Sequence, residues 1–286
     1  MTASKDSRRI LAMEYLTFNG VEPTAFIDLA VKVGFDAVGL RVSPADEKDH
    51  PFDLGPGSAR RREVKQALDH SGLRVLDVEV LAVDASTSRE SVMPVVESTA
   101  FFGADYINVT GNDPDSDRFE QTLHMLADEA GALGIMPLIE PMAWKCLSSV
   151  PEAIRLATLV PHLGLQVDSL HFARLGCDPE LLRSVPARCL PYIQLSDAPA
   201  VAPSSAPLDL QYEGRTARLL PGSGGLPLLD MLAAMPAGCP VAVEVPSQVA
   251  RRTMSDMAWA QQAHDATLRT IERLRGRPAD TVSTSA

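Results

Sequence analysis

The sequence has few cysteines, and none of them is spaced for metal binding or redox chemistry. Its 286 residues contain four, Cys146, Cys177, Cys189 and Cys239, and no two form a C-x-x-C pair. A disulfide framework is not expected in a chain of this size, and a zinc-thiolate site lacks its signature. We therefore interpret the four cysteines as small buried side chains of a protein in a reducing compartment.

Positive charge and long apolar runs are also scarce. Lys and Arg number 26 against 37 Asp and Glu, which gives a formal net charge of -11. That balance argues against binding to nucleic-acid phosphates or to an anionic membrane surface. No apolar stretch approaches the roughly 20 residues of a membrane span, and the first residues lack the apolar core of a signal peptide. The sequence predicts a cytoplasmic protein with neither a nucleic-acid nor a membrane partner.

Short runs rich in Val, Ile and Leu alternate with helical patterns along the whole chain. The predicted strands are Ile10–Phe18, Ala37–Val42, Val75–Val83, Tyr106–Thr110, Met136–Pro141, Gly164–Ser169, Leu190–Asp197 and Pro240–Val245. The predicted helices are Thr24–Val33, Ala59–His70, Ser88–Phe102, Ser116–Leu133, one opening at Ser149, one opening at Asp178, Leu226–Met235 and Met254–Arg275.

Strict alternation of strand and helix implies an all-parallel sheet in an α/β fold. Eight such units favour a single (β/α)8 TIM barrel. An open doubly wound sheet is the alternative, although the G-x-G-x-x-G phosphate loop is missing. We expect residues 1–276 to form the barrel domain and 277–286 a disordered tail. The longest predicted connections, Ser43–Ser58 and Ala198–Gly225, both follow strands and would lie on the catalytic face.

Four of the predicted strands carry an oxygen-bearing side chain at or near their carboxyl ends: Glu140, Asp168, Gln194 and Glu244. In the last strand, alternation turns the valines towards the helices and Glu244 towards the barrel axis. Polar groups at this rim of a barrel are typical of a catalytic site. Several buried carboxylates are costly to keep together without a cation, and all-oxygen donors favour Mg²⁺ or Mn²⁺ over Zn²⁺.

The stretches around these strand ends read Leu138-Ile-Glu-Pro, Val167-Asp-Ser-Leu-His-Phe, Tyr192-Ile-Gln-Leu-Ser-Asp-Ala-Pro and Val243-Glu-Val. They resemble the xylose-isomerase-like TIM-barrel superfamily of sugar and sugar-phosphate isomerases and epimerases, inosose dehydratases and 3-dehydroshikimate dehydratases. The resemblance is strong in the C-terminal half, whereas the N-terminal half shares only the alternation.

The family typically holds its metal with Glu, Asp, His and Glu in chain order. The resemblance therefore implies Glu140, Asp168 and Glu244 as ligands and puts Gln194 at the usual histidine position. Some bacterial 3-dehydroshikimate dehydratases also carry Gln there, and their following segment is similar to the stretch from Glu213 to Gly224. The resemblance further implies that Glu140 or Glu244 serves as both ligand and catalytic base.

His171 lies three residues after Asp168, a spacing shared with the family. We predict that it contacts substrate or relays a proton, the alternative being a hydrogen bond to a loop carbonyl.

Five further residues are candidates for substrate contact: Arg218, Arg215, Arg41, Glu79 and Trp144. Arg218 or Arg215 would clamp a carboxylate or phosphate, unless both are solvated loop charges. Arg41 and Glu79 either reach the pocket or form an ion pair with each other. Trp144 either walls the pocket or packs in the ordinary way.

The expected function is metal-assisted proton abstraction next to a carbonyl of a small polyhydroxylated substrate, giving isomerisation or epimerisation. Loss of a β-hydroxyl after the same first step gives dehydration, which is the alternative. An abasic-site endonuclease shares this barrel, but it predicts more histidine ligands and a basic DNA-binding face. A sugar-binding barrel without turnover predicts no tightly bound metal. Self-association into a homo-oligomer stays open.

Overall fold

A computed structural model describes residues 9–44 and 52–276. Within them, nine short strands form one sheet with every pairing parallel. The strands are β1 Leu11–Met13, β2 Ala37–Arg41, β3 Arg74–Val83, β4 Tyr106–Gly111, β5 Met136–Glu140, β6 Gly164–Leu165, β7 Val167–Asp168, β8 Ile193–Leu195 and β9 Val241–Val243.

The strand order is β6-β5-β4-β3-β2-β1-β9-β8-β7. The two ends of this order, β6 and β7, are consecutive pieces of one strand that is interrupted at Gln166. The sheet is therefore a nearly closed barrel of eight strand positions, and the predicted (β/α)8 TIM barrel is confirmed. The open doubly wound alternative is wrong, because the first strand, β1, pairs with the last, β9, and the two end strands, β6 and β7, are pieces of one strand.

Helices follow the strands. They are α1 Pro23–Val33, α2 Ala59–Ser71, α3 Arg89–Phe102, α4 Ser116–Gly131, α5 Val150–Leu159, α6 Ser169–Arg174, α7 Pro207–Thr216, α8 Leu228–Ala234, α9 Gln248–Thr253 and α10 Asp256–Arg275, with 3-10 turns at Tyr15–Phe18, Pro179–Ser184 and Ala187–Cys189. Predicted start signals hold locally: Ser149 accepts a hydrogen bond from the Glu152 amide as the cap of α5.

Several predicted elements differ from those observed. The first predicted strand ends at Met13, and its second half is the turn Tyr15–Phe18. The predicted strands Gly164–Ser169 and Leu190–Asp197 are shorter or interrupted. Helices α6, α7 and α9 were not predicted. Helix α7 lies inside the connection Ala198–Gly225, whose proline and serine content is typical of a loop.

The core has two layers, as the alternation along the strands predicts. A large cluster between sheet and helices includes Val241, Val243 and Val245. A small cluster fills the barrel interior with Ala12, Ala37, Leu76, Leu138, Tyr192 and Ala242. Because three of these six side chains are alanines, the interior has room for the fully buried ring of Tyr192.

All four cysteines are free thiols; Cys189 and Cys239 are buried as predicted, but Cys146 is exposed and Cys177 half-buried, so the prediction of four buried cysteines is wrong for these two. No helix of residues 9–44 and 52–276 has both the length and the apolar character needed to cross a bilayer. The first eight residues, the segment 45–51 of the predicted Ser43–Ser58 connection and the predicted tail 277–286 lie outside the described residues.

Candidate metal centre

Four neighbouring strand ends place the predicted ligands at one end of the barrel. Glu140 is the last residue of β5, Asp168 the last of β7, and Gln194 lies in β8. Glu244 follows β9, and its amide donates to Leu195 O at 3.1 Å. Parallel pairing sets Asp168 opposite Gln194. All four side chains are buried, with at most 5% of any residue exposed.

Glu140, Asp168 and His171 converge most closely. Each offers one ligand atom, and these atoms lie within 4.8 Å of one another. Among the described residues, no other group of three or more Asp, Glu, His or Cys side chains has its ligand atoms this close together. His171 reaches this position because Asp168 caps α6: its Oδ1 accepts from the amides of Leu170 at 2.8 Å and His171 at 2.9 Å. The group is a candidate site for a divalent metal.

Arg218 lies among the carboxylates. Its Nη1 donates to Asp168 Oδ2 at 2.5 Å, its Nη2 pairs with Glu244 Oε2 at 2.8 Å, and its Nε donates to Gly214 O at 2.6 Å. The sequence assigned Arg218 to substrate, whereas its guanidinium here contacts protein groups. No arginine or lysine in the described chain forms a salt bridge with Glu140.

The electrostatics of the group show an excess of negative charge. Burial, reinforced by the charges of Asp168 and Glu244, raises the pKa of Glu140 well above its usual value. Burial likewise raises the pKa of Glu244 to about 8, against the opposing effect of Arg218. Burial also works to raise the pKa of Asp168, but Arg218 and His171 hold it below its usual value. One guanidinium does not balance three buried carboxylates, and a divalent cation would.

Burial lowers the pKa of His171 to about 4, so its imidazole is neutral near pH 7. A neutral imidazole is the form that coordinates metals. Its Nε2 lies 3.7 Å from Glu140 Oε1, and its Nδ1 has no hydrogen-bond partner among the described residues.

Gln194 is 1% exposed, and neither its Oε1 nor its Nε2 has a hydrogen-bond partner in the described chain. Leaving a buried amide unpaired costs about 1–3 kcal/mol per group, and an amide oxygen is a suitable ligand for a hard cation. Three carboxylates, one unpaired amide and one neutral imidazole therefore fit a divalent metal.

One pocket is lined by Glu140, His171 and Glu244 of the centre, though not by Asp168 or Gln194, and by all the predicted substrate contacts. The pocket opens to solvent, so a small molecule can reach it from outside. Besides Glu140, His171 and Glu244, its lining includes Arg41, Glu79, Trp144, Arg215 and Arg218.

Arg41 and Glu79 form the internal ion pair that the sequence left open, with Arg41 Nη2 2.5 Å from Glu79 Oε2, and both also line the pocket. The ring of Trp144 stands edge-on to that of His171, with centroids 4.9 Å apart. Arg215 is half-buried at the pocket wall. Eight of the ten predicted site residues thus line one pocket, and the other two, Asp168 and Gln194, lie opposite each other on the neighbouring strands β7 and β8.

Sequence reasoning missed Asn108, Lys145 and Gln211, which also line the pocket. Asn108 was detectable as a polar residue within the apolar run of β4, and its contact with Glu140 works to lower the pKa of that carboxyl. Lys145 and Gln211 lie in a turn and in the unpredicted helix α7, where no local pattern marks them.

Comparisons with known proteins agree with this architecture. The chain is 29% identical over 114 residues to a 3-dehydroshikimate dehydratase of Pseudomonas putida, and 30% identical over 115 residues to one of Pseudomonas aeruginosa. Each match covers 39% of this chain but 17% of the relative, so the chain spans a small part of these proteins.

Solved structures share the fold. A xylose isomerase-like TIM barrel/4-hydroxyphenylpyruvate dioxygenase fusion protein superimposes with a TM-score of 0.77 at 19% identity, covering 94% of this chain and 44% of that one. A zinc-bound IOLI protein superimposes with a TM-score of 0.74 at 16% identity, and the match covers 94% of this chain and 100% of that one. A D-allulose 3-epimerase from Methylomonas superimposes with a TM-score of 0.62 at 14% identity, and the match covers 93% of this chain and 100% of that one.

A family model described as xylose isomerase-like TIM barrel matches residues 27–274, nearly the whole described chain. The match includes all four strand-end ligands, His171 and the pocket arginines. The chain therefore belongs to the xylose isomerase-like TIM-barrel family.

Proposed function

We propose that this protein is a divalent-metal-dependent lyase that removes water from a polyhydroxylated cyclic keto acid of the 3-dehydroshikimate type. The observation that carries the proposal is the unpaired, buried Gln194 amide among three carboxylates. It is supported by the two dehydratase relatives, which are the curated proteins that this chain resembles. This choice favours dehydration, the alternative of the sequence analysis, over isomerisation.

In this proposal Glu140, Asp168, Gln194 and Glu244 hold the cation, and His171 lies close enough to be a further ligand. Oxygen donors predominate, so Mn²⁺ or Mg²⁺ suits the site. When bound, the metal polarises the substrate carbonyl and stabilises the negative charge that develops on its oxygen.

Glu140 is the better placed base of the two glutamates. Glu244 Oε2 is tied to Arg218 at 2.8 Å, whereas no arginine or lysine in the described chain pairs with Glu140. Both glutamates are proposed ligands of the cation, but Glu140 has no guanidinium partner among the described residues that lowers its basicity further, so it is the one that accepts the α-proton.

Arg215 is the proposed contact for the substrate carboxylate. The guanidinium of Arg218 is bound to Asp168, Glu244 and the Gly214 carbonyl, so its role is to orient the carboxylates. Arg215 lines the same pocket from helix α7 and is half-buried.

Isomerisation or epimerisation of a sugar is the second candidate. Epimerisation requires proton exchange at two faces of one carbon, and the two glutamates Glu140 and Glu244 both line the pocket. The first step is the same, so the fate of the enolate separates the two reactions.

The test is to strip the protein of metal, add back Mn²⁺, Mg²⁺ or Zn²⁺, and incubate it in D₂O with 3-dehydroshikimate and a panel of ketoses. We expect loss of one water from the keto acid and, in Glu140→Gln, a rate at least 100-fold lower. The exposed Glu272→Gln on α10 is the control. Deuterium incorporation into ketoses without dehydration would favour epimerisation, and neither reaction with any metal would contradict the proposal.

A further inference from the structure

A second acidic group lies inside the barrel, next to the pocket. Glu14 directly follows β1, and Asp77 and Glu79 belong to β3. Their exposed fractions are 0%, 0% and 1%. A β-carbon at Gly39 of β2 would lie 1.8 Å from Glu14 Oε2 and 2.5 Å from Asp77 Oδ1. Two carboxyl oxygens thus occupy the space that any side chain at position 39 would need.

This group has few hydrogen-bond donors. The Tyr192 hydroxyl donates to Asp77 Oδ2, and Arg41 donates to Glu79 Oε2 from Nε at 3.1 Å and from Nη2 at 2.5 Å. Within the described chain, both oxygens of Glu14, Oδ1 of Asp77 and Oε1 of Glu79 have no donor. One guanidinium and one hydroxyl face three buried carboxyl groups.

A bound cation or a shared proton can resolve this crowding. The three side chains do not form a cluster with one ligand atom each within 4.8 Å, as Glu140, Asp168 and His171 do. A proton needs only two neighbouring oxygens. Burial and the charges of Asp77 and Glu79 raise the pKa of Glu14 well above its usual value, which agrees with a protonated Glu14.

We propose that Glu14 is a carboxylic acid in the folded protein, that it shares its proton with Asp77 and Glu79, and that this proton store supplies the pocket through Glu79. Glu79 lines the pocket, whereas Glu14 and Asp77 do not. Glu14 and Asp77 are therefore positioning residues, and Glu79 is the one that meets substrate. The presence of the proton is independent of the reaction; its delivery rests on the proposed function.

The proton transfers balance over one turnover. Glu14 passes its proton to Glu79 Oε1, and Glu79 passes it to the substrate hydroxyl, which leaves with the C–O electron pair as water. The negative charge then lies on Glu14 beside Asp77. The base that took the carbon proton releases it to solvent in the pocket, and the store takes up one proton from the same solvent.

The test of the store is the infrared spectrum of the full chain at pH 8 with ¹³C-carboxyl-labelled glutamate. A protonated carboxylic acid has a carbonyl stretch that an ionised carboxylate lacks. We expect the wild-type protein to show this band for labelled glutamate and Glu14→Gln to show less of it. Glu272→Gln, exposed on α10, should keep the full intensity.

Equal intensity in the wild type and a folded Glu14→Gln would overturn the proposal. If Glu14→Gln does not fold, Glu14→Asp keeps an acid and should move the band to the unlabelled aspartate position. A wild-type spectrum without any protonated-glutamate band at pH 8 overturns the proposal without a variant.

Delivery is tested by turnover with the metal-loaded protein. We expect kcat to fall about 100-fold in Glu79→Gln and about tenfold in Glu14→Gln, with the metal affinity of Glu14→Gln unchanged, because general acid catalysis contributes about 10²–10⁴. An unchanged kcat in Glu14→Gln contradicts delivery. If the band is present and is weaker in Glu14→Gln, but no substrate is turned over, the protonated Glu14 stands and the proposed function fails.

Discussion

Gln194 and Gln166 are both buried amides whose side-chain oxygen and nitrogen lack hydrogen-bond partners in the described chain. They differ in position. Gln194 lies beside Asp168 at the carboxyl rim, whereas Gln166 interrupts the strand between β6 and β7 one pleat deeper. This pair allows an amide that is proposed to bind a cation to be compared with one that is only buried.

We expect Gln194→Leu to have opposite effects on folding and on metal binding. Removing an unpaired amide leaves the metal-free protein as stable as before or stabilises it by about 1–3 kcal/mol, while loss of the ligand weakens Mn²⁺ binding at least tenfold. Thermal unfolding and titration calorimetry measure the two effects. Gln166→Leu should share the first and lack the second. Equal metal affinity in both variants would rule out Gln194 as a ligand.

At the scale of elements, helix α7 closes the pocket over the metal centre. Gln211, Gly214 and Arg215 of this helix line the pocket. Gly214 packs so closely that a β-carbon there would lie 2.7 Å from Trp144 Cη2 and 3.5 Å from His171 Cε1. The helix therefore sets the position of Trp144, which in turn stands edge-on to His171.

Gly214→Ala tests this closure. In most helices the change to alanine is stabilising by up to about 1 kcal/mol, but here the added methyl displaces Trp144. We expect an unchanged or lower Tm, a shift in Trp144 fluorescence and a several-fold higher KM. Leu208→Ala, on the same helix at a residue that is 77% exposed, is the control. A Tm increase with unchanged fluorescence would show that the helix does not press on Trp144.

The strands and their polar ends could be predicted because the alternation of inward and outward side chains is visible within a few consecutive residues. Val243 faces the helices and the adjacent Ala242 faces the barrel axis. Helix α7 could not be predicted, because the proline-rich sequence around it favours a loop. The helix forms where the chain packs over the pocket, and the local sequence does not show that packing. The meeting of Glu14 with Asp77 depends on the pairing of β2 with both β1 and β3, which brings the two side chains together over Gly39. No local pattern contains that distance.

At the scale of the whole molecule, the barrel interior contains two groups of acidic side chains, named here the upper level, which lines the pocket, and the lower level, which does not. The upper level, with Glu140 and Glu244, faces the pocket and has the charge of Arg218. The lower level, with Glu14 and Asp77, is sealed from solvent. Their charges interact, since Glu244 contributes to raising the pKa of Glu14. Protonation of the lower level therefore affects the stability of the fold as a whole.

Asp77 gives this coupling a measurable pH dependence. Burial, with the charge of Glu79, raises its pKa to about 7 from the usual 3.8. Below about pH 4 the group is protonated in both folded and unfolded chains, so it does not oppose folding. Between pH 4 and 7 the unfolded chain releases the proton while the folded chain keeps it, and stability falls as pH rises.

Asp77→Asn removes this loss, because asparagine is neutral and its oxygen still accepts from the Tyr192 hydroxyl. We expect the Tm of the variant relative to the wild type to rise between pH 4 and 7 and to level off above pH 7, measured by circular dichroism on metal-free protein. The gain is on the order of a few kcal/mol. The exposed Asp69→Asn on α2 should give no such slope. A difference in Tm that stays constant across this range would mean that Asp77 ionises in the folded protein at its usual pH.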